Sequence, residues 1–188
     1  MRRTIGLTVL FLVFTCISVL AQDKGKNSYE IGVGVNAYGI FWTVDGAPSR
    51  DVSPGAYFEY RYNSNEHFSF GIQVGYKYGT GHSAITGDCI PKELIYNQAG
   101  LKIVAEYLML PNMPVKPYIG IGLGKGILFT DSKTNDISYS TNAFTTVGPR
   151  IGLQIRKIRA ALEFDFATKY YDMLPTKSSA SLNLGYVF

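Results

Sequence analysis

The sequence predicts an all-β protein, an eight-stranded antiparallel up-and-down transmembrane β-barrel. Three observations predict it. Apolar residues recur at every second position along eight segments, which is the period of a strand. Beyond residue 21 no apolar run approaches the roughly 20 residues that a membrane helix needs. The connections between segments alternate long and short, as they do in barrels whose two rims face different compartments.

Residues 1–21 read as a secretory signal peptide. Arg2 and Arg3 precede an apolar run from Ile5 to Leu20, and Ser18-Val19-Leu20-Ala21 supplies small residues before a cut at Gln22. A membrane anchor would need a longer run, and the residues around Cys16 fit a lipoprotein signal poorly. Cleavage leaves 188 − 21 = 167 residues, one barrel domain over 22–188. It also takes two of the 18 basic residues, so the net charge falls from +4 to +2. No basic run remains, and nucleic-acid binding is not expected. The mature chain keeps one cysteine, Cys89, so no internal disulfide can form.

The first segment runs from Tyr29 to about Ile40, with Ile31, Val33 and Val35 opposite Glu30, Gly32 and Asn36. The second, about Pro54 to Tyr62, sets Ala56, Phe58 and Tyr60 against Tyr57, Glu59 and Arg61. The third alternates Phe68, Phe70, Ile72, Val74, Tyr76 and Tyr78 with Ser69, Gly71, Gln73, Gly75 and Lys77. The fourth, about Gln98 to Leu108, sets Leu101, Ile103, Ala105 and Tyr107 against Lys102 and Glu106. In the fifth, Ile119, Ile121 and Leu123 oppose Tyr118, Gly120, Gly122 and Gly124. The sixth opposes Val147, Ile151, Leu153 and Ile155 to Gly148, Arg150, Gly152 and Gln154, with Pro149 read as a bulge or bend. The seventh opposes Ile158, Ala160, Leu162, Phe164 and Phe166 to Arg159, Glu163, Asp165 and Lys169. The eighth opposes Ala180, Leu182, Leu184, Tyr186 and Phe188 to Ser181, Asn183 and Gly185.

Long connections are expected over 41–53, 80–97, 129–142 and 172–178. Tight ones are expected at 63–66, 111–114 and 156–157. With the short turns on the periplasmic side, both termini lie there too.

A soluble lipocalin-type barrel alternates in the same way with its apolar face inside. Three features favour apolar faces outward. The polar faces are rich in glycine, which suits a crowded interior. Their charges are of both signs. Aromatic residues gather near segment ends, as an interfacial girdle would: Tyr29, Phe41, Trp42, Tyr62, Phe68, Tyr78, Tyr107, Phe129, Phe144, Tyr170 and Phe188. The charged residues Glu30, Glu59, Arg61, Lys77, Lys102, Glu106, Arg150, Arg159, Glu163, Asp165 and Lys169 are then assigned to the lumen as a network. Eight strands leave an interior just wide enough for side chains. The network is therefore expected to plug the lumen rather than gate it.

The chain ends Ser-Leu-Asn-Leu-Gly-Tyr-Val-Phe. The alternation of Leu182, Leu184, Tyr186 and terminal Phe188 resembles the strand by which outer-membrane barrels are recognised for assembly. With the signal peptide and the eight segments, residues 28–188 resemble the small outer-membrane barrel superfamily. That group includes the OmpA transmembrane domain, OmpX-like proteins and the PorT-like outer membrane protein β-barrel domain. The resemblance implies a Gram-negative outer-membrane location, with outer-membrane lipid and the barrel-assembly machinery as partners. It carries no shared catalytic motif. No periplasmic domain is expected beyond Phe188.

Other candidate chemistry is weak. Gly120, Gly122, Gly124, Lys125 and Gly126 repeat at strand spacing, whereas a phosphate loop needs a glycine turn opening a helix. His67 and His82 are placed in separate connections, and with Cys89 they make no metal site. His82, Ser83 and Asp88 are the one local group comparable to a lipid-modifying serine–histidine site, and no third residue is fixed by spacing. No cofactor and no catalytic residue are expected. The reading is a non-enzymatic membrane scaffold whose external loops contact the surroundings or an extracellular or periplasmic protein partner. Its alternatives are a narrow channel for small solutes and a lipid-modifying enzyme.

Overall fold

The computed structural model describes residues 26–38, 52–83, 92–132, 140–167 and 178–188. Eight antiparallel strands close into a barrel in sequence order, with β8 paired back to β1. They are β1 (Asn27–Tyr38), β2 (Val52–Asn63), β3 (Phe68–Ser83), β4 (Lys92–Leu108), β5 (Val115–Ser132), β6 (Ser140–Ile155), β7 (Ile158–Ala167) and β8 (Ser178–Val187). Closure gives every strand a hydrogen-bonded neighbour on both sides, the condition for strands to cross lipid.

One row of cross-strand partners fixes the shear. It passes from Asn27 through Tyr62, Phe70, Ala105, Ile121 and Pro149, crosses to Phe164 and Ala180, and returns to β1 at Ala37. The offset is 37 − 27 = 10 residues. For eight strands this corresponds to a tilt of about 40°.

The apolar faces point outward. Ile121 is 55 % exposed and Phe70 51 %, whereas Glu59 is 0 % exposed. Phe164 shares its face of β7 with exposed Ile158 and Phe166, opposite buried Glu163 and Asp165. This excludes the soluble lipocalin-type arrangement. A cation on the apolar belt has no partner there, so Ile121→Arg is expected to cost about 2–4 kcal/mol. Urea titration of the protein folded in phospholipid vesicles measures it. A change below about 0.5 kcal/mol would mean that Ile121 does not face hydrocarbon.

Several expectations are corrected. The central strands reach further than their apolar pattern, so β3 and β4 extend to Ser83 and Lys92, and β5 and β6 to Ser132 and Ser140. Main-chain ladders continue there without needing an apolar face. His82 and Ser83 consequently sit on β3, paired with Glu93 and Lys92, not in a connection. Pro149 makes no bulge. The pairs Val147↔Phe166 and Arg150↔Glu163 keep one register, with an interruption of the β6–β7 ladder between them. A proline has no N–H to give the ladder, and the strands pass it without an inserted residue. Phe144 is not a girdle residue. It is buried inside, its ring lying where a side chain on Gly126 would stand. Tyr29 lies on the outer face but is buried, packed on Phe58 and Tyr60. Phe41, Trp42, Tyr170, Cys89, Asp88 and residues 1–21 lie outside the described residues.

The turns at the opposite rim are tight. The Asn65 side chain accepts hydrogen bonds from the main-chain N–H groups of His67 (2.9 Å) and Phe68 (2.8 Å), which closes the β2–β3 turn. The β6–β7 hairpin needs only Arg156 and Lys157, with Arg156 in the left-handed region at φ 55°.

Candidate functional site

Strand alternation delivers every inward charge to one lumen. In its inner tier, Glu30 accepts from Arg61 (2.8 Å), from Arg159 (3.3 Å) and from the Tyr57 hydroxyl (2.5 Å). Glu59 accepts from Arg61, from Arg150 (2.8 Å) and from the Gln73 amide (3.1 Å). Glu106 accepts from Arg159 (2.9 Å), and both Arg61 Nε and Arg150 Nη1 stand 3.2 Å from its carboxylate. Three guanidinium groups and three carboxylates thus interlock across the barrel axis, joining residues as distant in sequence as Glu30 and Arg159.

A second tier lies toward the rim of the long connections. The Lys102 ammonium donates to Glu163 (3.0 Å) and to Asp165 (2.8 Å), and Lys77 stands 4.0 Å from Asp165. Arg150 links the tiers, because its Nε is 3.1 Å from Glu163. Among the described residues the two tiers hold five cations and five carboxylates, so the plug they form is neutral. Neutrality matters here. An unpaired ion out of water costs several kcal/mol, whereas a fully bridged set recovers most of that.

Of the eleven charges assigned to the lumen, the structure brings ten together. Lys169 lies outside the described residues. Two aromatic members were not anticipated. Tyr118 lies flat beneath the Arg159 guanidinium, 3.9 Å from its ring centre, with Arg150 at 5.9 Å. Tyr57 fills the space that side chains at Gly32 and Gly185 would need, and Tyr118 does the same at Gly152. The glycines therefore make room for a few large plug residues. Both tyrosines fall in phase with the charges along their strands, and that phase was the available signal.

The plug divides the lumen. Toward the long connections lies a cavity of about 70 Å³, walled by Gln73, Lys77, Lys102, Asp165, Asn183 and Phe144, among others. At the turn end lies a wider bowl of about 430 Å³. Gly120 to Gly126 form part of β5, and Lys125 is exposed on its outer face, so this run is not a phosphate loop. Among the described residues no group of three or more His, Cys, Asp or Glu side chains is placed to hold a metal ion. Leu182, Leu184, Tyr186 and Phe188 all stand exposed on the outer face of β8 and at its end.

Residues 7–188 match the family described as the outer membrane protein beta-barrel domain. The chain belongs to that family. This outer-membrane barrel is also similar in structure to Neisserial surface protein A, at 15 % identity and a TM-score of 0.61, over 86 % of this chain and 95 % of that one. It is similar to OprG from Pseudomonas aeruginosa at 11 % identity and a TM-score of 0.60, over 88 % and 97 %. At such identities the likeness speaks for the fold alone. Among curated proteins none is significantly similar to the outer-membrane barrel in sequence.

Proposed function

We propose that this outer-membrane barrel is a solute-tight scaffold without enzymatic activity, whose external connections make surface contacts or hold a protein partner. The observation that carries the reading is the plug. Arg61, Arg150 and Arg159 are each no more than 4 % exposed and bridge carboxylates from opposite walls. An ion crossing the lumen would have to break several buried bridges at once. That barrier supports a lumen closed to ions while the network holds. The scaffold then acts from its rim, through the connections following β1, β3, β5 and β7.

Export through cleavage after Ala21, and insertion guided by Leu182, Leu184, Tyr186 and Phe188, belong to the same proposal. Their support is the small-residue site and the exposed apolar face of β8.

A narrow channel is the second reading. The cavities on both sides favour it, because they leave the two tiers of ion pairs as the barrier. Single-channel recording in planar bilayers separates the two. The expected result is no reproducible conductance step from the folded protein. Steps of defined size that change when Lys77 or Lys102 is substituted would overturn the scaffold.

A further inference from the structure

The bowl at the turn end differs in charge from the rest of the lumen. Its walls include four cationic side chains, Lys26, Arg61, Lys116 and Arg159, and one carboxylate, Glu66. The acids that neutralise the two arginines are Glu30, Glu59 and Glu106, and none of them lines the bowl. Each arginine therefore separates a carboxylate behind it from the open space in front. The cavity toward the long connections has no such asymmetry, since Lys77 and Lys102 share its walls with Glu163 and Asp165.

Two further observations point to a ligand. The Arg159 side chain is 1 % exposed, and its Nε–H has no hydrogen-bond partner. That idle donor leaves the Arg159 guanidinium charge incompletely compensated on the side of the bowl's floor. At the mouth, Lys26 and Lys116 stand in no ion pair with any described residue. A volume of about 430 Å³ falls within the range of small-molecule sites. Ser28, Asn63 and Gln154 add polar groups along the wall.

We infer that this bowl is a binding site for a small oxyanion, a carboxylate or a phosphate, entering from the rim of the tight turns. In an outer-membrane barrel that rim faces the periplasm. The anion would sit between the two lysines, over the positive floor that Arg61 and Arg159 supply. The plug supplies the positive floor without loss of its own pairing. Binding there is independent of whether the lumen conducts, so a failure of either idea leaves the other standing.

The test uses the folded, isotope-labelled full barrel in lipid nanodiscs, followed by NMR at the Arg159 Nε–H and at the Lys116 ammonium. Inorganic phosphate and succinate are titrated separately against sodium chloride at matched ionic strength. The expected result is a saturable shift with at least one of them, and which one saturates decides between phosphate and carboxylate. Lys26→Gln combined with Lys116→Gln is expected to weaken binding about two- to thirtyfold, the loss of two exposed pairings. Neither lysine is ion-paired with the plug, and unchanged gel mobility before and after heating verifies that the variant folds. Glu66→Gln is expected to act in the opposite direction and tighten binding by removing the carboxylate that competes. Shifts that track chloride alone, or that ignore all three substitutions, would overturn the site.

Discussion

Replacing Arg150 with alanine is expected to lower the unfolding free energy of the barrel by about 3–5 kcal/mol, the cost of stranding a buried ionic partner. Arg150 touches Glu59 at 2.8 Å, Glu106 at 3.2 Å and Glu163 at 3.1 Å, and so joins the two tiers. Its loss leaves four cations against five carboxylates in a plug whose side chains are almost fully buried. Urea titration in phospholipid vesicles, read by the mobility difference between folded and unfolded protein on gels, measures the change. Removing the charge of one carboxylate as well, in Arg150→Ala with Glu59→Gln, restores neutrality and is expected to recover part of the loss. A single-mutant effect below about 1 kcal/mol would mean that the carboxylates are solvated and the plug is porous.

The second large effect is steric. An alanine at Gly148 would place its Cβ 1.5 Å from the main-chain oxygen of Phe164. The obstacle is backbone, so no rotamer relieves it. β6 and β7 would have to part where the ladder beside Pro149 is already interrupted. Gly148→Ala is therefore expected to cost more than about 4 kcal/mol or to prevent folding, at the far end of what single substitutions do. Gly75→Ala is the matched control. Its nearest atom would be 3.7 Å away, an ordinary contact. Reduced backbone freedom in the unfolded chain makes that change stabilising by about 0.5 kcal/mol. Equal outcomes at the two glycines, in the same vesicle titration, would contradict the close approach of β6 and β7.

Much of this architecture was legible because strand alternation is a strong signal when one face meets lipid. Phe70, Ile72 and Val74 identify their face without ambiguity, and Lys77 and Gln73 identify the other. What alternation lacks is any term for main-chain pairing beyond the membrane. The extra length of β3 through β6 is therefore invisible to it, and alternation alone puts His82 in a connection. Aromatic residues misled in a specific way. Chemistry alone groups Phe144 with the girdle, although its even position puts it with Gly148 and Arg150. Tyr57 and Tyr118 were on the polar faces by phase, yet their part in the ionic lumen depends on distances between strands, which no single strand encodes. The pairing of Glu59 with Arg150, 91 positions away, is of the same kind.

The shear of ten residues has a consequence for how the cylinder is completed. Apolar alternation forbids a slip of one residue at any seam, because every side chain would change face. A slip of two at the β1–β8 seam keeps all faces correct, and the lipid belt would not register it. The lumen would. Glu30 and Asn36 on β1 meet Arg159 on β7 and Ser181 on β8 across that seam, and a displacement of two residues, about 6–7 Å, separates acid from base. The buried charges thereby act as a proofreader of closure, rejecting the miscounted cylinders that hydrophobicity alone would accept.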